Sequence, residues 1–323
     1  MPKETIAQSL EKQGVSRREF LKLSGFLAVA MGLQGCSVEI DDQKNSTELP
    51  IEHEIIQAME TKPRLPVIWL EFQDCAGCTE ALTRSASPTL VNLVLNTLTI
   101  EYHETLSAAA GFQMEQAKDD AMKKYAGQYI LIVEGSIPMA FNGNCCTIGG
   151  RTAEDLLMEA AAGAAAIIAI GNCSSFGGLP RANPNPTDAK GVLEFITDKP
   201  LVNIPGCPAV PEVITGTIAH FAIFGTFPEL DELQRPMTFY GKTVHDSCPR
   251  RSYYDNHKFA NSFDDEGAKK GWCLHKLGCK GPTTYNACAL IKWSQGLSFP
   301  IQSGHPCLGC AEPDFWDGEG FYQ

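Results

Sequence analysis

Residues 67–80 read V-I-W-L-E-F-Q-D-C-A-G-C-T-E. A short apolar run without polar alternation suits a strand buried on both faces, and it ends in a cysteine pair where a crossover helix would begin. Four similar runs follow, at 99–102, 129–133, 165–170 and 201–204. Amphipathic or alanine-rich stretches lie between them, at 79–95, 106–125, 153–164 and 211–224. Strand, helix, strand at this spacing predicts an α/β fold, a doubly wound parallel sheet with helices on both faces.

Four cysteines of this half fall at one edge of that sheet. Cys75 and Cys78 follow the first strand, Cys173 the fourth and Cys207 the fifth. Carboxyl ends of parallel strands form the binding crevice of such folds, so thiols a hundred residues apart converge there. Four thiolates at one crevice make a cubane site. Gly77, Gly171, Gly177, Gly178 and Gly206 let backbone amides approach its sulfurs. A dinucleotide or flavin site competes poorly, because no G-x-G-x-x-G follows the first strand. A thioredoxin-type Cys-x-x-Cys leaves Cys173 and Cys207 unexplained.

The stretch from 245 to 310 holds six of the 13 cysteines: H-D-S-C at 245–248, C-L-H-K-L-G-C at 273–279, Cys288, and C-L-G-C at 307–310. No helical or strand period carries them. Thiols at that density cross-link or share a metal, and one His among short Cys spacings favours metal. An odd number of cysteines also leaves a thiol over in a wholly disulfide-bonded framework.

The chain has 323 residues, 44% of them hydrophobic, and a net charge of -12. That length can bury a full core and suggests two domains. The acidity argues against nucleic acid or anionic headgroups as partners and suits a basic docking partner. Residues 16–22, S-R-R-E-F-L-K, precede an apolar run at 23–33 that is far short of the roughly twenty residues a membrane span needs. The pattern reads as a twin-arginine export signal. Either Ala28-Val29-Ala30 marks the cleavage site, or Cys36 is lipidated. The expected division is signal 1–36, solvated linker 37–63, sheet domain 64–225 and cysteine-rich domain 226–323.

C-A-G-C-T-E at 75–80, G-N-C-S-S-F-G-G at 171–178, I-P-G-C-P at 204–208, H-D-S-C-P-R at 245–250, W-C-L-H-K-L-G-C-K-G-P at 272–282 and G-H-P-C-L-G-C at 304–310 together resemble the small subunit of nickel-iron hydrogenases. The resemblance runs from about residue 64 to the end. It implies a flavodoxin-like first domain with a proximal 4Fe-4S cluster on Cys75, Cys78, Cys173 and Cys207. By the same match His245, Cys248, Cys273 and Cys279 would hold a distal 4Fe-4S cluster. Cys288, Cys307 and Cys310 would hold a medial 3Fe-4S cluster, with Pro300 where relatives with a fourth thiolate carry Cys. The chain would then form an obligate heterodimer with a large subunit that holds the nickel-iron centre. It would pass electrons from hydrogen oxidation to a c-type or b-type cytochrome, in the periplasm.

Gly77 and Gly178 stand where oxygen-tolerant members of that family carry extra cysteines, which implies an ordinary cubane and an oxygen-sensitive enzyme. Cys145 and Cys146 match no ligand position and are expected to be buried, inert thiols; His275 is expected to pack or face solvent, and Glu80 and Glu104 to be solvated or interfacial. Residues 82–98 and 106–110 are expected to meet the large subunit. Two rivals remain: a quinone-reductase subunit with one cubane on a similar fold, and an exported zinc-bound or disulfide-stapled binding protein.

Overall fold

In the computed structural model, which describes residues 5–12, 15, 31, 50–86 and 88–317, a five-stranded parallel sheet forms the centre. Its strands are β1 (Leu65–Glu71), β2 (Leu98–His103), β3 (Ile130–Glu134), β4 (Ala166–Ile170) and β5 (Leu201–Ile204). Their spatial order is β2-β1-β3-β4-β5, every neighbouring pair being parallel. The order reverses between β1 and β3, which opens a crevice at their carboxyl ends. All five strands expected from the sequence are present.

The helices are α1 (Ile6–Lys12), α2 (Pro50–Thr61), α3 (Gly77–Thr83), α4 (Leu90–Asn96), α5 (Gly111–Lys124), α6 (Ala153–Gly163), α7 (Gly171–Phe176) and α8 (Pro211–Phe224). The helix expected at 79–95 is two helices. Pro88 disfavours helical backbone before it, and Ser85 Oγ donates to the Pro88 carbonyl at 2.8 Å, so the chain turns there. Thr152 caps α6 by accepting from the Asp155 N–H at 3.2 Å, while α8 opens on Pro211 and closes on left-handed Gly225.

Period-two alternation divides the strands between two cores. Ile68, Leu70, Leu131, Val133, Ile167 and Ala169 face α5 and α6. Val67, Trp69, Ile130, Ile132, Ile168 and Val202 face the other way, toward Leu82, Leu93 and the buried face of α8. Each such Ile, Leu or Val contributes about 1.5–3 kcal/mol when fully buried. Leu82, Leu93 and Leu98, expected at a partner interface, are therefore committed to this chain's own core; Val91 and Leu106 remain exposed.

Residues 226–317 form turns and short helices such as Met237–Tyr240, Arg251–Asp255 and Glu266–Lys269. Their buried Tyr240, Val244, Leu277, Phe299 and Ile301 belong to the same core as the sheet. Polar groups close the seam. Asn172 Nδ2 donates to the carbonyls of Cys310 (3.0 Å) and Glu312 (2.9 Å). Arg235 donates to the Ala311 carbonyl and the Glu312 carboxylate, and pairs with Asp231 at 2.8 Å.

The expectation of a solvated linker at 37–63 needs correction over its last part, because α2 buries Ile55 and Met59 against Ala219 and Ile223 of α8. Ile6 and Leu10 of α1 join that cluster. The twin-arginine residues, the cleavage-site alternatives and Cys36 lie outside the described residues. No described helix is long and apolar enough to cross a membrane.

Removing the Arg235 guanidinium would strand two carboxylates at the seam. Arg235→Ala is expected to cost about 3 kcal/mol, as breaking a buried pair does. Arg84→Ala, which removes the solvent-exposed pair with Glu80, should cost no more than about 0.5 kcal/mol. Denaturant midpoints of the two variants in the assembled enzyme check the difference.

Candidate metal centres

The first site is built at the carboxyl ends of β1, β4 and β5. After β1 the backbone turns through left-handed Ala76 (φ 55°), whose N–H is taken by Asp74 Oδ2 at 3.2 Å, and enters α3 with Cys75 and Cys78. Glu134, the last residue of β3, accepts from the N–H groups of Cys78 (2.9 Å) and Thr79 (3.2 Å) through one oxygen and from Thr79 Oγ1 through the other (2.6 Å). A carboxylate at a helix N-terminus satisfies amides that have no partner within the helix. Behind it, Glu71 accepts from Thr105 and approaches His103, which ends β2 just before it.

Cys173 lies on α7 after β4, and Cys207 follows β5. All four cysteines thus follow strands at one edge of the sheet. Burial raises the Cys78 thiol well above its ordinary range, with Cys173 and Cys207 adding to the effect. Burial, then Cys207 and Cys75, pushes Cys173 up to about 12. Burial and Cys75 raise Cys207. Two glycines form the cradle. A Cβ at Gly171 would lie 2.6 Å from Cys78 Sγ, and one at Gly178 would lie 2.4 Å from Cys173 Sγ; both have positive φ.

Cys288, Cys307 and Cys310 line one cavity of about 160 Å³. Pro300 forms part of its wall, with Val244, Phe299 and Ile301. Burial first, then the neighbouring thiols, raises Cys288 and pushes Cys310 up to about 12. Asn286 presents an orphaned amide here: its Oδ1 accepts the Cys288 N–H at 3.1 Å, whereas its buried Nδ2 has no partner.

The third group is Cys248, Cys273 and Cys279. Burial raises Cys248 and Cys273, and the neighbouring thiols add to the effect. His245 begins the turn that brings Cys248 back, through the Cys248 N–H to the His245 carbonyl at 3.3 Å. Its ring packs edge-on against Tyr254 at 4.6 Å, and its nitrogens make no hydrogen bond among the described residues. His275 meets the same tyrosine from another side, at 5.4 Å, and is exposed.

The three groups are joined in file. Cys207 lines the same cavity as Cys288, Cys307 and Cys310, and Asn172, beside Cys173, donates to the Cys310 carbonyl at 3.0 Å, linking the first group to the second. The Cys307 N–H donates to Cys279 Sγ at 3.4 Å, linking the second to the third.

A single zinc ion would draw its thiolates to about 3.8 Å from one another, given Zn–S bonds of about 2.3 Å. Among the described residues, no three cysteine sulfurs come within 4.8 Å of one another; the only set of potential ligands that close is Glu71, Asp74 and Glu134. Those carboxylates are engaged with the backbone and with Thr and His side chains. The twelve described cysteines are free of disulfides. Thiols that are mutually coupled, yet too far apart for one ion, suit clusters in which several irons and sulfides fill the space between ligands. Bound iron would displace the thiol protons that burial otherwise retains.

The sequence reading missed Glu134, Glu71, His103 and Asn286. A lone carboxylate ending an apolar strand was the one available signal for Glu134. Cys145 and Cys146 depart from expectation, since Cys145 is exposed and Cys146 half-buried. Glu80 and Glu104 are exposed, as expected.

Residues 240–323 match the family model for the C-terminal part of the NiFe/NiFeSe hydrogenase small subunit, and residues 75–221 match NADH ubiquinone oxidoreductase, 20 Kd subunit. The uptake hydrogenase small subunit of Afipia carboxidovorans is 47% identical over 99% of this chain and 84% of its own length. The hydrogenase-1 small chain of Escherichia coli is 45% identical over 99% of this chain and 82% of its own. The solved Ni-Fe-Se hydrogenase from Desulfomicrobium baculatum superposes with a TM-score of 0.76 at 35% identity, covering 80% of this chain and 98% of that one. The rival quinone-reductase reading accounts for the sheet domain alone, since the cysteine-rich half carries its own match. The chain belongs to the small-subunit family of nickel-iron hydrogenases, the iron-sulfur proteins that relay electrons for a large-subunit partner.

Proposed function

We propose that this chain conducts electrons through three clusters. Cys75, Cys78, Cys173 and Cys207 hold a proximal 4Fe-4S cluster. Cys288, Cys307 and Cys310 hold a medial 3Fe-4S cluster, and His245, Cys248, Cys273 and Cys279 hold a distal 4Fe-4S cluster. When bound, each supplies a one-electron carrier. The observation that carries this reading is the succession of the three thiol groups: Cys207 of the first lines the cavity of Cys288, Cys307 and Cys310, and the Cys307 N–H donates to Cys279 Sγ of the third at 3.4 Å.

The chain's own residues shape what each site can do. Gly171 and Gly178 keep space beside the proximal sulfurs, and Glu134 holds the Cys78 end of the Cys-x-x-Cys turn. Pro300 closes the medial cavity without offering a ligand, which supports three irons there. An imidazole at the distal site removes one negative charge relative to thiolate and raises the potential, as in Rieske centres.

The hydrogen-activating nickel-iron centre belongs to the large subunit, and electrons leave near His245 for a c-type or b-type cytochrome. A contact with a basic cytochrome would weaken with ionic strength. Export by the twin-arginine route delivers the loaded protein to the periplasm, with Cys36 available for lipidation. The acidic composition supports the cytochrome, and the S-R-R-E-F-L-K motif supports the export route.

Four outcomes test this reading. The purified heterodimer should contain about eleven irons in clusters, the sum of two cubanes and one three-iron cluster. Its oxidised form should show the paramagnetic signal of a 3Fe-4S cluster, and a much lower iron count would overturn the assignment. Pro300→Cys should add an iron and abolish that signal; an unchanged spectrum would mean that position 300 does not face the cluster. Replacing both Arg17 and Arg18 by Lys should retain the enzyme in the cytoplasm, as fractionation would reveal.

A further inference from the structure

Three side chains lining the medial cavity can donate a hydrogen bond from nitrogen or a hydroxyl: Thr284, Asn286 and Trp293. Two are engaged elsewhere. Thr284 Oγ1 donates to the Lys280 carbonyl at 2.7 Å, and Trp293 Nε1 donates to the Ala209 carbonyl at 3.3 Å. Asn286 differs. It is 4% exposed, its Oδ1 is pinned by the Cys288 N–H at 3.1 Å, and its Nδ2 has no partner. That bond also settles the orientation of the amide, since a flipped side chain would set two donors against each other.

The rest of the wall contributes apolar side chains, including Val244, Phe299 and Ile301. Low polarity disfavours the reduced form of a cluster, which carries one more negative charge, much of it on the sulfurs. A donor aimed at a sulfur opposes that effect.

We propose that Asn286 Nδ2 donates an N–H···S hydrogen bond to the medial cluster and so holds its reduction potential up. The inference rests on the three-iron reading of that site. The anchoring of Oδ1 on Cys288, itself a ligand in that reading, fixes the donor relative to the cluster, as outer-shell partners do at other metal centres. Asn286 thus tunes the electron step between the proximal and distal sites without ligating iron.

The test uses the assembled heterodimer. Asn286→Asp keeps an acceptor for the Cys288 N–H and loses the donor; Asn286→Ala loses both without adding charge. Redox titration followed by electron paramagnetic resonance should find the three-iron midpoint lowered in both variants, with the proximal and distal midpoints unmoved. An unchanged midpoint in Asn286→Ala would overturn the proposal. If either variant loads less iron, pulsed resonance on the unaltered enzyme decides. Enzyme made with 15N-asparagine and exchanged into deuterium oxide should show 15N and deuteron couplings at the medial cluster, and their absence would overturn the donation. A wild-type enzyme with no three-iron signal would instead remove the reading on which the inference rests, a failure distinct from loss of the coupling alone.

Discussion

The side-chain amide of Asn172 donates to the carbonyl of Cys310 at 3.0 Å, and the rest of the relay depends on that contact. One residue sits beside Cys173 in the sheet domain, and the other belongs to the cysteine-rich half. For an electron to cross between them, the two halves must hold one fixed separation. A shared hydrophobic core supplies the bulk attraction, with Tyr240, Leu277 and Phe299 packed into the same cluster as Ile168 and Val202. Apolar burial is non-directional, however, and tolerates sliding. Directionality comes from polar groups at the seam: Asn172 and Arg235 occupy the carbonyls of Cys310, Ala311 and Glu312 in succession, and the Tyr240 hydroxyl donates to the Pro205 carbonyl at 2.8 Å.

Electrostatics explain why such a chain is a cofactor protein rather than a thiol protein. Burial raises the thiols of Cys78, Cys248 and Cys288, one in each group, and neighbouring sulfurs raise them further. Without a cation, burial disfavours the thiolate form at each of these three positions. Iron reverses the preference, because its charge repays both the desolvation and the mutual repulsion of the thiolates. The backbone then adds graded stabilisation through N–H groups aimed at sulfur, from Arg250 to Cys248 and from Cys307 to Cys279, each at 3.4 Å.

Much of the fold was legible because its signals are local. Apolar runs of four to seven residues mark strands buried on both faces, and all five were found. Where a local signal was outweighed by a neighbour, the reading slipped. Residues 79–95 carry a helical pattern, yet Pro88 and the Ser85 turn divide it. Residues 50–61 look like polar linker, but Ile55 and Met59 find a groove on α8 that the segment itself does not announce. Cys145 was expected inside and is exposed, since a thiol's burial depends on what packs over it.

By itself the sequence determined the sheet, the placing of four cysteines at its carboxyl edge and the family to which the motifs belong, because apolar runs, their alternation with helical stretches and Cys spacing are properties of short segments. Only the tertiary structure decided which groups lie beside the cysteines. That Glu134 caps the Cys-x-x-Cys turn, that Asn172 grips the loop of Cys310 and that the Asn286 amide is left without a partner in the medial cavity all depend on segments far apart in the chain. Such contacts are set by how two faces pack, and one-dimensional spacing carries no record of that geometry.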